Sequence, residues 1–264
     1  MTDYRAMFDL TGRTALVLGA ASGIGGASAE ALGALGATVI CADRDEPGAA
    51  ATAARIGNGA RATRCDAASA TDIEALADFI GDARLDIAVT TPGLNIRKQI
   101  LDYTEEDFAR VVDLNLKGTF LFFRAFGRRM VAQGGGSIIA CSSIRATTIE
   151  PGLGVYGMTK AGISTLVKGF ASEVGHANVR VNAIAPSVIE TALTAPIKER
   201  REIYDKYAAH TVLNRWGASS EVASAVAFLA SDAASYISGT TLLIDGGWTA
   251  IDGPPTGLTQ ARPN

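Results

Sequence analysis

Short apolar runs that alternate with longer, helix-like segments are the feature that most constrains the fold of this 264-residue chain. Each run is apolar at consecutive positions, which is typical of a strand buried on both faces. The predicted strands are residues 14–18, 38–42, 60–65, 85–89, 137–141, 179–183 and 241–244. Such strands, separated by helices, predict a doubly wound parallel sheet of seven strands with helices on both faces.

Helix-like segments fill the intervals between these strands. The predicted helices cover residues 27–35, 47–56, 104–133, 157–174 and 221–229, and one more begins at Thr71, where Glu74 completes a capping box. Neither a linker nor an internal repeat divides the chain, so we expect one domain over residues 1–264. The Gly- and Pro-containing residues 252–264 are expected to form a frayed C-terminal tail.

Charge and composition exclude several classes of function. The net charge is −3 and basic residues form no block, which argues against nucleic-acid binding. The two histidines lack a metal-ligand spacing, so no metal is expected. The three cysteines lie far apart, which favours free thiols in a reducing compartment. Without a targeting signal or an apolar run of bilayer length, we expect a cytoplasmic protein that has no membrane partner.

A glycine-rich turn follows the first predicted strand and opens a helix. Gly19, Gly23 and Gly25 occur in the segment Gly19-Ala20-Ala21-Ser22-Gly23-Ile24-Gly25. Glycines there let the backbone approach a pyrophosphate, which the free N–H groups and the dipole of the helix N-terminus then stabilise. Because strand, turn and helix come in the right order, the segment predicts a dinucleotide-binding loop.

Acidic residues end the next two predicted strands. Asp43 follows the second strand, where a carboxylate suits the ribose hydroxyls of NAD and repels the 2′-phosphate of NADP. Arg44 beside it offers the opposite chemistry, since a guanidinium can hold that phosphate. Asp66 follows the third strand and either accepts from the adenine amino group or begins a turn with Ala67 and Ala68. On balance, the residues favour NAD.

Tyr156 and Lys160 are four residues apart on a predicted helix, so their side chains share one face. A phenol is a poor base near neutrality, but a neighbouring ammonium favours the phenolate and makes proton transfer feasible. Ser143 follows the fifth strand, at the sheet edge where ligands bind, and can donate to a substrate oxygen. This set predicts acid/base chemistry at a carbon–oxygen centre.

These motifs together resemble the short-chain dehydrogenase/reductase family in its classical form. The resemblance rests on Gly19-x-x-x-Gly23-x-Gly25, Asn115 in Leu-Asn-Leu-Lys-Gly, Ser143, Tyr156-x-x-x-Lys160, the run from Arg180 to Pro186, and Ile244-Asp245-Gly246-Gly247. Softer similarity to a gluconate 5-dehydrogenase-like subgroup lies in the stretches 8–13, 95–98 and 246–250. The resemblance covers nearly the whole chain in order.

The resemblance implies a Rossmann domain, a homotetramer and reversible hydride transfer between NAD and a secondary alcohol or ketone. It implies a catalytic tetrad of Asn115, Ser143, Tyr156 and Lys160, in which Asn115 kinks its helix and positions a water. The cofactor-binding residues it implies, together with those argued above, are Gly19, Ser22, Gly23, Ile24, Gly25, Asp43, Arg44, Asp66, Ala67, Gly93, Tyr156, Lys160, Pro186, Ile189 and Thr191.

Three positions depart from the family pattern. Leu18 stands where the family has Thr, and the segment Thr90-Thr91-Pro92-Gly93 replaces Asn-Asn-Ala-Gly. The two family segments brace each other, and both have changed here, so we expect a repacked brace. Ser187 replaces a Gly and is expected to narrow the nicotinamide pocket.

The substrate pocket is expected beneath a lid formed by residues 188–216. Its predicted lining consists of Asn95, Ile144, Arg145, Leu153, Leu193 and Tyr204. The apolar members slightly favour an apolar or mixed secondary alcohol. Two alternatives stay open. In one, the enzyme is a sugar-acid or polyol dehydrogenase in which Arg145 or Arg97 holds a carboxylate. In the other, Arg145 points to solvent or pairs with Glu150. A remote alternative is a non-catalytic dinucleotide-binding protein on the same fold.

Overall fold

A parallel sheet of seven strands forms the centre of the molecule. The computed structural model describes residues 2–191, 194–195 and 199–251. The sheet consists of β1 (Thr14–Leu18), β2 (Thr38–Asp43), β3 (Arg61–Arg64), β4 (Ile87–Thr90), β5 (Gly136–Cys141), β6 (Val179–Pro186) and β9 (Thr241–Ile244), in the spatial order β3-β2-β1-β4-β5-β6-β9. Every neighbouring pair is parallel. This confirms the predicted single-domain, doubly wound fold.

Helices cover both faces of this sheet. They are α1 (Gly23–Ala34), α2 (Glu46–Ile56), α3 (Ala70–Ile80), α4 (Glu105–Val112), α5 (Gly118–Ala132), α6 (Gly154–Val174), α7 (Arg201–Ala209) and α8 (Ser219–Ala230). Alternate residues of β1 face opposite sides. Leu16 and Leu18 join a core with α3, α5 and α6, whereas Ala15 and Val17 join a core with α1, α2 and α8. Burial on both faces explains the continuous apolar runs.

The strand order reverses at β1, which lies between β2 and β4. At such a switch point, the connections on the two sides leave in opposite directions and open a crevice beyond the carboxyl ends of the strands. Residues that follow β1, β2, β4, β5 and β6 therefore converge on one edge of the sheet. Among the described residues, no helix combines the length and apolar character needed to cross a bilayer.

Element boundaries differ from the predictions in a few informative places. Helix α1 begins at Gly23 rather than at residue 27, so the glycines form its first turn. The capping box predicted at Thr71 is wrong, because the hydroxyl of Ser69 accepts from the N–H of Asp72 at 3.1 Å and caps α3. The predicted helix 104–133 is interrupted by a π-helical turn, Asp113–Lys117, which separates α4 from α5.

The predicted lid contains ordered elements that its sequence did not indicate. Two short parallel strands, β7 (Ile189–Glu190) and β8 (Gly217–Ala218), pair with each other, and α7 lies between them in the chain. Predictions that concern Leu193 and the tail 252–264 fall outside the described residues.

Candidate active site

One cleft of about 500 Å³ opens along the carboxyl edge of the sheet. Every residue predicted to bind the cofactor lines it, from the glycine-rich loop through Asp43, Asp66 and Gly93 to Thr191. Ser143, Tyr156 and Lys160 line the same cleft, whereas Asn115 is fully buried behind it. The fold thus brings together residues that lie more than a hundred positions apart in the sequence.

The loop after β1 is a cradle that side chains would fill. Gly19 has a φ of +93°, and a Cβ atom there would collide with the hydroxyl of Thr91. A Cβ on Gly25 would collide with the carbonyl oxygen of Gly19. The side chain of Ser22 does not cap α1, so the first N–H groups of this helix remain available to an anion. This geometry fits a pyrophosphate at the helix N-terminus.

A brace joins the glycine-rich loop to the segment after β4. The hydroxyl of Thr91 donates to the carbonyl of Leu18 at 3.1 Å and lies 3.5 Å from that of Gly19. The N–H of Thr91 also donates to Leu18, at 3.0 Å. The altered residues at 18 and 90–92 therefore remain in contact through one threonine, as a repacked brace requires.

Replacing Thr91 tests this brace. We expect Thr91→Val to lower the free energy of unfolding by about 1 kcal/mol, because two loop carbonyls lose the hydroxyl that they share. The KM for the dinucleotide should rise as the loop loosens. Urea unfolding and initial-rate kinetics measure the two effects, with Thr11→Val as control, since the Thr11 hydroxyl donates to the exposed carboxylate of Asp9, two residues away. If Thr91→Val has the free energy of unfolding and the dinucleotide KM of wild type, the brace does not stabilise the loop.

Asp43 holds the loop after β1 while facing the cleft. Its carboxylate accepts from the N–H of Ala21 at 3.0 Å and from that of Asp45 at 2.9 Å. The neighbouring Arg44 is exposed and also lines the cleft. Asp66 accepts from the N–H of Ala68 at 3.0 Å, so it begins the predicted turn as well as lining the cleft. The position of Asp66 is therefore compatible with both predicted roles, which are to begin a turn and to accept from the adenine amino group.

Lys160 and Tyr156 project from the first turns of α6 towards the end of β5. The Lys160 ammonium is almost fully buried, donates to the carbonyl of Cys141 at 2.7 Å and lies 5.6 Å from the centre of the Tyr156 ring. The Ser143 hydroxyl accepts from the N–H of Arg145 at 3.1 Å, which fixes its orientation at the start of a short 3₁₀ turn. The cleft therefore places a hydroxyl, a phenol and an ammonium along one wall.

Asn115 occupies the centre of the π-helical turn, a distortion found mostly at functional sites. Its side chain accepts from the N–H of Leu94 at 2.7 Å and donates to the Leu94 carbonyl at 2.9 Å. It also donates to the hydroxyl of Thr159, which in turn donates to the carbonyl of Tyr156. Asn115 thus ties the segment after β4 to the helical turn that carries the tyrosine.

The substrate end of the cleft contains more charge than the sequence indicated. Of the predicted pocket residues, Asn95, Ile144, Arg145 and Leu153 line it. The prediction for Tyr204 is wrong: its ring stacks on Trp216 with 5.1 Å between centroids, and its hydroxyl faces Glu190. Tyr207, one helical turn further along α7, faces the cleft instead.

Arg145 is buried, with 8% of its surface exposed, so the expectation that it points to solvent is wrong and the expected pairing with Glu150 is present. Glu150 accepts from Arg145 at 2.8 Å, from Arg97 at 2.7 Å and from the hydroxyl of Tyr207 at 2.5 Å. We call Arg97, Arg145, Glu150 and Tyr207 the Glu150 cluster. Its four members converge from three separate segments of the chain.

Opposing effects set the pKa of Glu150. Burial raises the pKa of Glu150, but the hydrogen bonds from Arg97 and Tyr207 and the charges of both arginines together lower it by more. The pKa of Glu150 therefore lies below its usual value. Burial and the adjacent carboxylate raise the pKa of Tyr207. Glu150 is therefore an anion, and Tyr207 a neutral donor, across the neutral pH range. Glu150 and Tyr207 were missed as lining residues because only the folded position of α7 brings them together.

Comparisons with known proteins agree with this architecture. Residues 19–249 match the family model described as enoyl-(acyl carrier protein) reductase. The chain is 36% identical to galactitol 2-dehydrogenase (L-tagatose-forming) of Cereibacter sphaeroides, over 94% of this chain and 99% of that protein. It is 38% identical to D-threitol dehydrogenase of Mycolicibacterium smegmatis, over 92% and 95% respectively.

A solved structure is similar as well. A gluconate 5-dehydrogenase from Burkholderia cenocepacia, in complex with NADP and tartrate, superposes with a TM-score of 0.87 at 30% identity, covering 94% of this chain and all of that one. The chain belongs to the classical short-chain dehydrogenase/reductase family. It is an oxidoreductase that uses a dinucleotide cofactor to interconvert a secondary alcohol and a ketone.

Proposed function

We propose that this protein is an NAD-dependent dehydrogenase of polyhydroxylated secondary alcohols, with Tyr156 as its general acid/base. The observation that carries the proposal is the common cleft, in which the glycine-rich cradle, Ser143, Tyr156 and the buried Lys160 lie together. A non-catalytic dinucleotide-binding protein would have no need to bury an ammonium beside a phenol. Bound nicotinamide supplies the hydride acceptor or donor.

The residues of the chain supply binding and proton transfer. The N–H groups at the start of α1 and the cradle of Gly19 and Gly25 hold the pyrophosphate. The Ser143 hydroxyl donates to the substrate oxygen, and Tyr156 takes up the alcohol proton during oxidation or returns it during reduction. Lys160 favours the phenolate electrostatically, and Asn115 keeps the turn of α6 in place through Thr159.

Asp43 supports NAD over NADP, because its carboxylate lines the cleft at the end of β2, where ribose hydroxyls bind in this fold. The gluconate 5-dehydrogenase from Burkholderia cenocepacia has NADP bound in its structure, so a related protein can bind the phosphorylated cofactor. Arg44 is the residue of this chain that suits such a phosphate, but the carboxylate of Asp43 beside it would repel it.

Replacing Asp43 tests the cofactor choice. We expect Asp43→Asn to lower the ratio of kcat/KM for NAD to that for NADP by about 10- to 100-fold, since charged hydrogen bonds to the ribose disappear together with the repulsion. Asp45→Asn removes the same charge two residues away, at the exposed N-cap of α2, and should leave the ratio unchanged. A wild-type preference for NADP, or an Asp43 variant with an unaltered ratio, would contradict the proposal.

The charged groups at the substrate end support a polar, polyhydroxylated substrate over the apolar alcohol that Ile144 and Leu153 alone favour. Relatives named for galactitol and threitol are consistent with this choice. A sugar acid is the second candidate, since Arg97 and Arg145 both line the cleft and a gluconate 5-dehydrogenase shares the fold.

Three further properties belong to the proposal. The segment 188–216 acts as a lid, since Val188, Tyr207 and Trp216 line the cleft. A homotetramer is supported by exposed apolar side chains on the helices and on β9, namely Phe108, Phe120, Met158 and Leu243. A cytoplasmic location is consistent with three cysteines that are free thiols.

One assay tests the function directly. Purified protein is incubated with NAD and a panel of alditols, and with NADH and the corresponding ketoses, while absorbance at the NADH band is followed. We expect turnover of at least one alditol and its ketose. Turnover of apolar alcohols alone would mean that the substrates are apolar alcohols and not polyols. Absence of turnover with every alcohol and both dinucleotides would contradict the proposal.

A further inference from the structure

We propose that Glu150 is a specificity-determining residue: its carboxylate occupies the two arginines of the substrate pocket and thereby makes the enzyme select neutral polyols over sugar acids. This inference rests on the proposed function and names the substrate class of the same site. The observation behind it is that two guanidinium groups at the substrate end share one carboxylate of the protein itself.

Both guanidinium groups already have a carboxylate of the protein as their partner. One oxygen of Glu150 accepts from Arg97 and from Tyr207, and the other accepts from Arg145. Each terminal nitrogen of Arg97 already donates once, one to Glu150 and one to the Tyr207 hydroxyl at 3.4 Å. A substrate carboxylate that approached Arg97 would therefore compete with a carboxylate that is already bound there, although N–H groups remain for neutral acceptors.

An aromatic ring covers one face of the Arg145 guanidinium. Its guanidinium lies 5.0 Å above the centre of the Trp248 ring, and the side chain is 10% exposed. A substrate carboxylate that approached Arg145 would meet the negative charge of Glu150 beside it. In a partly buried site this repulsion is weakly screened, so it disfavours an acid relative to a neutral hydroxymethyl group.

The same contacts suit a polyol. Hydroxyl groups can accept from the N–H groups of the arginines that Glu150 leaves free and can donate to the carboxylate, whereas a carboxylate can only accept. Because Glu150 and Tyr207 come from different segments, their hydrogen bond also holds α7 against the cleft. The Glu150 cluster therefore offers donors and an acceptor to the hydroxyl groups of a substrate in the cleft.

Pairs of an alditol and the corresponding aldonate show the effect of the substrate's carboxylate charge on turnover. We would measure kcat/KM for threitol, xylitol and galactitol and for threonate, xylonate and galactonate, which differ only in carrying a carboxylate in place of a terminal hydroxymethyl group. For wild type we expect the alditol of the best pair to be favoured by roughly tenfold or more. In Glu150→Gln the ratio should shift towards the aldonate by at least about tenfold.

Glu202→Gln is the matched control, because it removes the same charge from an 80% exposed side chain on α7, outside the cleft. Its ratio should equal that of wild type. Binding gives a readout independent of turnover: the chain has two tryptophans, Trp216 and Trp248, and the Tyr207 ring lies 5.9 Å from each. Their fluorescence should respond to galactonate in Glu150→Gln at concentrations that leave wild type unaffected.

A second variant covers the case in which Glu150→Gln does not fold. Glu150→Ala leaves a space of carboxylate shape between the arginines, and we expect formate, but not formamide, to raise its melting temperature and to compete with galactonate. Even if neither variant folds, the ratio of kcat/KM for the alditol to that for the aldonate in wild type tests the proposal. Preference of wild type for an aldonate, or an unchanged ratio in a folded Glu150 variant, overturns the role of Glu150. Absence of turnover with every alditol and aldonate overturns the proposed function instead.

Discussion

Tyr156→Phe should lose turnover by about 10³-fold or more while still binding the dinucleotide, because the variant lacks only the group that transfers the proton. Tyr156 is half-buried on α6 and faces the cleft, so phenylalanine fits the same space. Steady-state kinetics would measure kcat, and calorimetric titration with NADH would measure binding. A drop in kcat with an unchanged Kd is the expected pattern.

The control for this variant is Tyr236→Phe, which removes the same hydroxyl from a fully exposed side chain. It should have the kcat of wild type. Substantial activity in Tyr156→Phe, within about tenfold of wild type, would mean that another group moves the proton. The acid/base assignment would then be wrong even though the fold and cofactor site stand.

Lys160→Met should give the second-largest effect, with kcat lowered by about 10²- to 10³-fold. Its ammonium lies beside the Tyr156 ring and bonds the Cys141 carbonyl, so the variant loses the charge that favours the phenolate and leaves a buried carbonyl without its donor. We also expect the free energy of unfolding to fall by about 1–2 kcal/mol.

A pH profile separates the electrostatic role of Lys160 from a purely structural one. The phenolate is the base in alcohol oxidation, so kcat/KM for oxidation should rise with pH. If the ammonium favours the phenolate, this rise should occur at higher pH in the variant than in wild type. Lys168→Met, on the exposed side of the same helix, should leave both the rate and the profile unchanged. A variant that is slow and unstable but has the wild-type profile would reduce Lys160 to a packing role.

Most of the fold could be predicted because a strand that is buried on both faces has apolar residues at consecutive positions, and such runs are visible in the sequence. Strands β1 and β9 begin and end at the predicted residues, since polar or glycine residues bound each run. The ends of helices were less predictable. Helix α1 starts inside the glycine-rich loop, and the cap of α3 is Ser69 rather than Thr71, because a cap depends on backbone angles that the sequence does not display.

The cofactor end of the site could be predicted for a similar reason. Its residues directly follow strands, and parallel strands deliver whatever follows them to one edge of the sheet. The spacing of Tyr156 and Lys160 likewise fixes their common face on a helix. Chain order and helical spacing therefore located the glycine-rich loop, Ser143, Tyr156 and Lys160, whereas the family resemblance supplied Asn115 and the residues after β4 and β6.

The substrate end depends on tertiary contacts that no local pattern encodes. The choice of Tyr207 over Tyr204 follows from how α7 rotates against Trp216, and Arg145 points inward because Glu150 and Trp248 hold it there. The π-helical turn at Asn115 is also tertiary in origin, since its side chain is satisfied by Leu94 and Thr159 from other segments. Similar sequences can therefore share the catalytic wall and differ in substrate.

The most direct test of the central claim is to follow hydrogen from the carbinol carbon. An alditol that wild type oxidises would be prepared with deuterium at that carbon and incubated with NAD, and the reduced cofactor would be analysed by mass spectrometry. We expect one deuterium in each NADH formed by wild type and no NADH above background from Tyr156→Phe. NADH without deuterium, or equal formation by the variant, would contradict it.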